Sequence, residues 1–220
     1  MSEQEPRHPE YQYLDLVKDI LENGFVKPSL GGGVELKGVF GRHHRWDLSD
    51  GTVPILPTKQ VAYRTAFREM LWFISGDSNV KTLIDQGIHI WDEWPYREYL
   101  KKNGIKVGDK SEGWKYGLKV FAERIKNEPA FAEEYGDLGP VYGSQWRHWK
   151  TSDGRELDQL AWAIDKMKRT PTRKHDVVTA WNPEFIYEMA SPGSKMMDLP
   201  PCHMIFQLDA EDNKLSMQMF

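Results

Sequence analysis

The amino-acid sequence predicts one domain of the α/β (α+β) class over residues 1–220, with an inserted helical subdomain at about residues 95–136. At 220 residues, the chain is long enough to bury one large hydrophobic core. Apolar residues recur at helical spacing in several segments and alternate as in β-strands in others, which predicts a mixture of helices and strands. Charged residues are dense over residues 95–136, where the apolar residues follow a helical period.

The composition excludes several classes of protein. The chain is 40% hydrophobic and 28% charged, close to the average of soluble globular proteins, and no stretch approaches the ~20 apolar residues that cross a bilayer. Residues 1–6 lack an apolar core, so we expect no signal peptide. A net charge of −4 argues against an extended nucleic-acid interface. A single cysteine excludes internal disulfides and a cysteine-rich zinc site, so we expect a cytoplasmic protein without a bound metal.

The first part of the chain predicts two long helices with a strand between them. Apolar residues at helical spacing predict a helix over residues 13–21 that ends at Gly24. Alternating apolar residues predict a strand over residues 34–40, after a glycine-rich loop at residues 31–33 that lacks any phosphate-binding pattern. The clearest helix is expected over residues 58–74. Its apolar stripe contains Phe67, Met70, Leu71 and Ile74.

Later segments predict shorter elements and a terminal hairpin. A short helix is expected after an N-cap at Asp77 or Ser78. Further helices are expected around residues 114–125 and over residues 157–167. Strands are expected over residues 177–181, 204–208 and 215–220. The last two alternate in step and are joined by the hairpin signal Ala210-Glu211-Asp212-Asn213.

Cys202 is the candidate nucleophile. Most isolated cysteines are small buried apolar residues, but Pro200 and Pro201 fix the backbone before Cys202 in an extended form. A rigid approach at the start of a strand holds a nucleophile at a constant angle. His203 follows directly, although adjacent strand residues point to opposite faces. A nearby cation would lower the pKa of the thiol more effectively.

Other candidate residues have both a structural and a functional interpretation. Arg173 and Lys174 form either a solvated basic turn or a phosphate-binding pair at a strand edge. Glu69 is either an exposed helix residue or a partly desolvated carboxylate suited to proton transfer. Tyr142 is either a packing residue of a turn or a hydroxyl of a pocket. The same ambiguity applies to the indoles of Trp91 and Trp94, which suit either a core or the wall of a site for a flat heterocycle.

Taken together, six motifs resemble those of the thymidylate synthase family and occur in that family's order. The resemblance extends from about Tyr13 to Phe220, and residues 95–135 are similar to an insert in the small domain of some bacterial members. The motifs are Phe40-Gly41, Glu69-Met70-Leu71-Trp72-Phe73, Trp91-Asp92-Glu93-Trp94, residues 137–149, Ala180-Trp181-Asn182-Pro183 and Leu199-Pro200-Pro201-Cys202-His203.

The resemblance implies a large mixed β-sheet with flanking helices, and a homodimer in which two such sheets pack back to back. It implies a methyltransferase that converts dUMP to dTMP with 5,10-methylenetetrahydrofolate as the donor of one carbon and a hydride. Cys202 matches the nucleophile that adds to C6 of the uracil, and Glu69 matches the glutamate that orders water and relays protons. Tyr142 matches the tyrosine that assists removal of the C5 proton.

The resemblance also assigns binding residues. Trp91 and Trp94 match residues of the reduced-folate pocket, and Lys59 matches a position where a basic residue meets the glutamate tail of the folate. His203 is assigned to the dUMP site with Arg173 and Lys174.

Arg173 and Lys174 match a pair of arginines that, in the resembled family, bind the phosphate of the partner subunit's nucleotide. Strict spacing from Trp181 would instead match Lys174 and His175, because this sequence contains one extra residue. We assign Arg173 and Lys174, and expect a β-bulge to take up the extra residue.

The sequence departs from the family's pattern elsewhere. An N-terminal phosphate-binding arginine has no match in residues 29–33, and the loop at residues 191–195 is longer than in most members. The family's second phosphate arginine and the asparagine that reads the uracil edge belong to a region beyond Phe220. Because a well-patterned strand reaches Phe220, we expect either further chain after it or another segment that covers its edge.

Two other functions share many of these residues. A pyrimidine-nucleotide hydroxymethylase, acting on dUMP or dCMP, uses the same cysteine and folate but lets water capture the one-carbon unit. A catalytically inert relative would bind a nucleotide or RNA. The weakened phosphate site favours the inert relative, whereas the presence of Cys202, Glu69 and Tyr142 opposes it.

Overall fold

The computed structural model describes residues 7–28, 34–108, 110–187 and 199–220. The chain forms two compact units, Met1–Tyr63 and Arg64–Phe220. Helices and strands occur in both units, which confirms the mixed class. The single domain with an insert at about residues 95–136 stays a prediction. The loops predicted at residues 29–33 and 191–195 lie outside the described residues.

The first unit contains helix α1 (Tyr11–Asn23) and the antiparallel strands β1 (Phe25–Pro28) and β2 (Glu35–Gly38). Helix α1 ends at Gly24, as predicted, where the Gly24 amide donates to the Ile20 carbonyl at 3.0 Å. Strand β2 occupies the middle of the predicted strand, and β1 was not predicted. Between residues 7–28 and 34–63, no apolar side chain is fully buried.

The rest of the chain contains most of the helices and a three-stranded sheet. Its helices are α2 (Tyr63–Ser75), α3 (Lys81–Ile84), α4 (Glu93–Lys102), α5 (Glu112–Asn127), α6 (Pro129–Tyr135), α7 (Tyr142–Arg147), α8 (Gln159–Arg169) and α9 (Pro183–Ile186). Its strands are β3 (Trp149–Lys150), β4 (Glu156–Leu157), β5 (Asp176–Thr179), β6 (Ile205–Glu211) and β7 (Lys214–Met219). Strands β3 and β4 pair with each other, and the larger sheet has the order β5-β6-β7.

The terminal hairpin confirms the prediction from alternation. Strands β6 and β7 are antiparallel, and Leu208 lies opposite Met217, as the matched patterns require. The connecting residues Asp212 and Asn213 have φ angles of 49° and 60°. Positive φ at both central positions is the requirement of a type I′ turn, which suits the twist of a two-residue hairpin.

Strand β5 corrects the expected β-bulge. Residues Asp176–Thr179 pair one-to-one with β6, from Asp176 opposite Leu208 to Thr179 opposite Ile205. The Ala180 amide continues this register by donating to the Met204 carbonyl at 2.8 Å. No bulge interrupts residues 176–180, so the prediction of a bulge in this strand is wrong.

Helix α2 begins later than predicted and buries a different face. It starts at Tyr63, and its buried side chains are Trp72 and Phe73, whereas Phe67 is 65% exposed. Leu71 and Ile74 are also exposed, and of the predicted stripe only Met70 packs against the core. The rings of Trp72 and Phe73 instead pack against those of Trp91 and Tyr142, which favours the observed orientation.

Helices α4, α5 and α6 form an aromatic cluster within residues 93–135. Helix α5 confirms the predicted amphipathic helix: Trp114, Phe121 and Ile125 are buried. Ser111 caps the helix by accepting the Trp114 amide at 3.1 Å. The ring of Phe121 lies 5.5 Å from that of Phe131 on α6, which joins the two helices.

Helix α7 packs closely against the end of α2, and Gly143 permits this contact. A Cβ atom at Gly143 would lie 2.6 Å from the Asp77 carbonyl oxygen and 3.1 Å from that of Phe73. At the other end of α7, the Arg147 guanidinium donates to the Ile74 carbonyl at 2.6 Å and to the Asp158 carboxylate at 2.8 Å. The position of α7 is therefore set by backbone contact at one end and by a charged side chain at the other.

We predict that Gly143→Ala lowers the free energy of unfolding by about 1–3 kcal/mol, because backbone atoms surround the new methyl group and cannot rotate away. Gly113→Ala is the matched control, since its Cβ would meet nothing nearer than 3.7 Å and lies in a helix. Urea unfolding measures both variants. Equal stability of the two variants would contradict the importance of the close contact at α7.

Candidate active site

Cys202 is held by Tyr142. The Cys202 amide donates to the Tyr142 hydroxyl oxygen at 2.6 Å, while the Cys202 thiol is exposed and forms no disulfide. Tyr142 is the first residue of α7 and is 4% exposed. Burial raises the pKa of the Tyr142 phenol, and the amides of Cys202 and His203 oppose this effect. The tyrosine therefore stays a neutral hydroxyl at physiological pH.

His203 lies against the same tyrosine. Its ring centroid is 5.6 Å from that of Tyr142, and its Nδ1 atom is buried with no hydrogen-bond partner among the described residues. The ring is therefore part of the packing around Tyr142. A buried ring nitrogen without a partner is a group that a bound polar molecule or water would satisfy.

Glu69 accepts a hydrogen bond from Trp91. The indole Nε1 donates to the Glu69 Oε1 atom at 2.6 Å, and the Glu69 side chain is half-buried. Trp91 is 7% exposed, and its ring lies 6.3 Å from that of Tyr142. A continuous series of contacts therefore joins Glu69, Trp91, Tyr142 and Cys202.

The segment after Trp91 contains a buried carboxylate. Asp92 is 3% exposed, and burial raises its pKa, although its partner His89 at 2.7 Å acts in the opposite direction. The Asp92 Oδ1 atom has no hydrogen-bond partner among the described residues. Trp94, two residues further on, is half-buried and packs against the core.

A network of amides connects α7 with β5 and α9. Asn182 donates to the Gln145 side-chain oxygen at 3.1 Å, and both residues are buried. The Gln159 Nε2 atom donates to the backbone carbonyls of Gln145 at 2.8 Å and Thr179 at 2.9 Å. The Thr179 amide donates back to the Gln159 Oε1 atom at 3.1 Å. These hydrogen bonds fix β5 relative to the helix that carries Tyr142.

The basic residues before β5 differ in their surroundings. The Arg173 guanidinium carbon lies 5.2 Å from the centre of the Trp162 ring, and Arg173 Nε lies 4.0 Å from the Asp176 Oδ1 atom. The Lys174 and His175 side chains are exposed. Only the Lys174 backbone is anchored, because its carbonyl accepts from the Gln207 side chain at 2.8 Å.

The structure brings some of the predicted site residues together and leaves others apart. Glu69, Trp91, Tyr142, Cys202 and His203 form one cluster of contacts. Trp94 is near this cluster in sequence. Among the contacts of the described residues, none joins Arg173 or Lys174 to Cys202. Lys59 belongs to the first unit and is exposed.

Comparison with known proteins identifies the family of this chain. A model of the family described as thymidylate synthase matches residues 11–220. The chain belongs to the thymidylate synthase family. The resemblance stated from the sequence motifs is thereby confirmed.

Curated thymidylate synthases from several bacteria are similar to this chain. It is 42% identical over 201 residues to that of Rhodopseudomonas palustris (strain BisA53), covering 91% of this chain and 61% of the relative. It is 43% identical over 198 residues to that of Zymomonas mobilis, covering 90% and 61%. It is 39% identical over 222 residues to that of Listeria monocytogenes serotype 4a, covering 95% and 68%. The chain thus spans about three-fifths of the length of the first two relatives.

Two kinds of feature are absent from the described residues. No helix in the described part of this thymidylate synthase family member is long and apolar enough to span a membrane. In the same residues, no group of three or more His, Cys, Asp or Glu side chains is arranged to hold a metal ion.

The contacts of three polar residues that support this candidate site were not predicted from the sequence. Gln145, Gln159 and Asn182 have no distinctive spacing, because their partners are distant in sequence. Asp176 did carry a signal. It alternates with the buried residues Val178 and Ala180, so it occupies an inward position of the strand.

We predict that Tyr142→Phe increases the hydrogen-exchange rate of the Cys202 amide about tenfold, because the amide loses its acceptor. NMR or mass-spectrometric exchange measures this rate. Tyr116→Phe, at a side chain that is 72% exposed, is the matched control and should leave the rate unchanged. Unchanged protection of Cys202 in Tyr142→Phe would show that the hydroxyl does not hold this backbone.

Proposed function

We propose that this protein methylates dUMP at C5 to give dTMP, with 5,10-methylenetetrahydrofolate as its second substrate. Family membership supports the reaction. The observation that carries the proposal is the placement of Cys202: the only cysteine of the sequence has an exposed thiol in no disulfide, and its backbone amide lies 2.6 Å from the buried Tyr142 hydroxyl. A fixed, accessible thiol is what covalent catalysis on a flat base requires.

Cys202 acts as the nucleophile. Its thiolate donates an electron pair to C6 of the uracil, and the electrons of the C5–C6 double bond move toward O4, so that C5 becomes the carbon of an enolate. This activation is necessary because C5 of uracil has little nucleophilicity of its own. C5 then forms a bond to the one-carbon unit of the folate substrate and loses its proton, and release of the folate amine leaves an exocyclic methylene on C5. Hydride transfer from the released folate to this methylene gives the methyl group and dihydrofolate, while elimination of the thiolate from C6 restores the double bond and frees Cys202.

Tyr142 and Glu69 handle protons in this proposal. The neutral Tyr142 hydroxyl is close to the Cys202 backbone and assists removal of the C5 proton through water. The Glu69 carboxylate has one oxygen bound to Trp91, which fixes its orientation, while the other remains for water near the uracil O4. The indole hydrogen bond thus makes Glu69 a positioned group rather than a mobile side chain.

The residues around Trp91 fit a flat heterocycle. Bound methylenetetrahydrofolate would supply the one-carbon unit and the hydride. Trp94 is half-buried, so part of its indole remains available for contact, and Trp91 ties this segment to Glu69. We assign Trp91 and Trp94 to this pocket and the exposed ammonium of Lys59 to the carboxylates of the folate tail. No metal takes part in this scheme.

We further propose a cytoplasmic homodimer in which Arg173 and Lys174 bind the phosphate of the partner subunit's dUMP. We propose action across the interface because no contact among the described residues joins this pair to Cys202 in the same chain. His203, beside Tyr142, is assigned to dUMP binding within its own chain. Nucleic acid is not a partner in this proposal.

We predict that Cys202 forms a covalent adduct with 5-fluoro-dUMP and methylenetetrahydrofolate. Fluorine at C5 cannot leave as a cation, so the reaction stops after the bonds to C6 and C5 have formed. Intact-protein mass spectrometry measures the added mass of nucleotide and folate, and Cys202→Ala is the control.

The measured products distinguish the proposed function from its two alternatives. A complex of wild-type protein, nucleotide and folate that carries no covalent mass would contradict the proposed mechanism. Release of 5-hydroxymethyl product from dUMP or dCMP would identify the hydroxymethylase, and absence of both binding and turnover would identify the inert relative.

We predict that mixed dimers restore activity if the phosphate-binding pair acts across the interface. Cys202→Ala and the double variant Arg173→Ala/Lys174→Ala are each expected to be inactive. After subunit exchange, each heterodimer contains one site with an intact cysteine and an intact partner pair. About half of the wild-type activity per heterodimer should return, as two-fold symmetry requires.

The control is a mixture in which both substitutions lie in the same chain, together with wild-type protein. The heterodimers of this control are expected to be inactive. In the mixture of the two separate variants, inactive heterodimers, with their presence shown by differential tags, would contradict action across the interface. Arg173 and Lys174 would then bind in their own chain or form a solvated turn.

A further inference from the structure

Asp176 is a buried carboxylate without a hydrogen-bond partner. Its exposed fraction is 1%, and neither Oδ1 nor Oδ2 has a partner among the described residues. It is the first residue of β5 and pairs with Leu208 through the backbone. A buried charged group requires a compensating charge. The candidate closest to it is Arg173, whose Nε atom lies 4.0 Å from Oδ1.

Arg173 is oriented by two groups. Its Nε atom is buried and faces Asp176, and its guanidinium carbon lies 5.2 Å from the centre of the Trp162 ring. Among the described residues, the structure gives no hydrogen bond to the two terminal nitrogens of Arg173. The guanidinium therefore has an inner edge that faces a carboxylate at ion-pair distance, a face against an aromatic ring, and an outer edge that remains to bind another group.

The outer edge suits a phosphate. A guanidinium forms paired hydrogen bonds with phosphate oxygens, and a fixed guanidinium loses less rotational freedom on binding than a free one. Lys174 differs in this respect, because its side chain is exposed and only its backbone is anchored. Arg173 is thus the pre-oriented member of the pair, and Lys174 contributes an adaptable point charge.

We propose that Asp176 is a positioning residue for phosphate binding: together with Trp162, it holds Arg173 so that the outer edge of the guanidinium binds the phosphate of the nucleotide. This inference rests on the proposed function, since the phosphate belongs to dUMP. It assigns a role to a charge inside the sheet that the chemistry at Cys202 does not use. Asp176 acts through Arg173 and does not itself touch the substrate.

The first test needs no substrate. In wild-type protein, the Nε–Hε group of Arg173 is expected to give a resolved NMR signal with slow proton exchange, because it is buried against Asp176. Asp176→Asn keeps the shape but removes the charge, and should shift this signal and increase its exchange about tenfold or more. Asp165→Asn is the matched control, since Asp165 is an exposed carboxylate whose partner is Arg169. An unchanged Arg173 signal in Asp176→Asn would overturn the anchoring.

The second test compares ligands with and without a phosphate. Asp176→Asn should weaken equilibrium binding of dUMP about tenfold, the scale of one charge-assisted hydrogen bond. It should change binding of deoxyuridine, measured at high concentration, less than twofold. In protein that already carries Arg173→Ala, adding Asp176→Asn should have no further effect on dUMP binding, because the two residues act as one unit.

Trp162→Leu provides a variant at a less buried site, since Trp162 is 43% exposed. It should weaken dUMP binding about threefold, as expected for loss of a cation–π contact at the surface, and again spare deoxyuridine. If Asp176→Asn does not fold, Trp162→Leu tests whether the orientation of Arg173 contributes to phosphate binding.

The outcomes separate the two proposals. Equal weakening of dUMP and deoxyuridine would show that Asp176 only stabilises the fold, and would overturn the inference. Additive effects of Asp176→Asn and Arg173→Ala would also overturn it. Wild-type protein that binds dUMP but does not methylate it would contradict the proposed function alone. Wild-type protein that does not bind dUMP would contradict both.

Discussion

The close contact between helix α7 and the end of α2 is the constraint on which the site depends. At Gly143 there is space for a hydrogen atom but not for a methyl group, because backbone carbonyls lie on the adjoining side. The neighbours of Gly143 then point in fixed directions: Tyr142 toward the Cys202 backbone, and Gln145 toward Asn182. A shift of this six-residue helix by the width of a methyl group would move the Tyr142 hydroxyl and the Gln145 side chain together. The position of the Cys202 backbone therefore depends on the backbone contact at Gly143.

Buried polar atoms without a hydrogen-bond partner gather near the residues assigned to binding and catalysis. In the described residues they include Asp92 Oδ1, His203 Nδ1, and the facing groups of Arg173 and Asp176. Such atoms are uncommon in folded proteins and lower stability unless a ligand or water satisfies them. Bound polar molecules or ordered water at these positions would satisfy them.

Local rules predicted the elements that depend on local interactions. The β6–β7 hairpin followed from alternation and from turn residues that tolerate positive φ, and α5 followed from one clear apolar stripe. Helix α2 did not, because it has two apolar faces and tertiary packing selected the one with Trp72 and Phe73. The partners of Tyr142 and Glu69 also lay beyond sequence reasoning, since the hydrogen bonds to Cys202 and Trp91 join distant segments. Motif resemblance found these residues, whereas only the structure supplied their contacts.

The side chain of Gln159 has a consequence for how the sheet can associate. Its amide pairs with both backbone groups of Thr179, as a residue of a neighbouring strand would. This occupies the end of the β5 edge and opposes the addition of a foreign strand there. At the opposite edge of this sheet, within the described residues, lies β7, whose side chains are exposed, including Leu215 and Met217. Among the described residues, a further strand can therefore be added to this sheet at β7 but not at the end of β5 that Gln159 occupies.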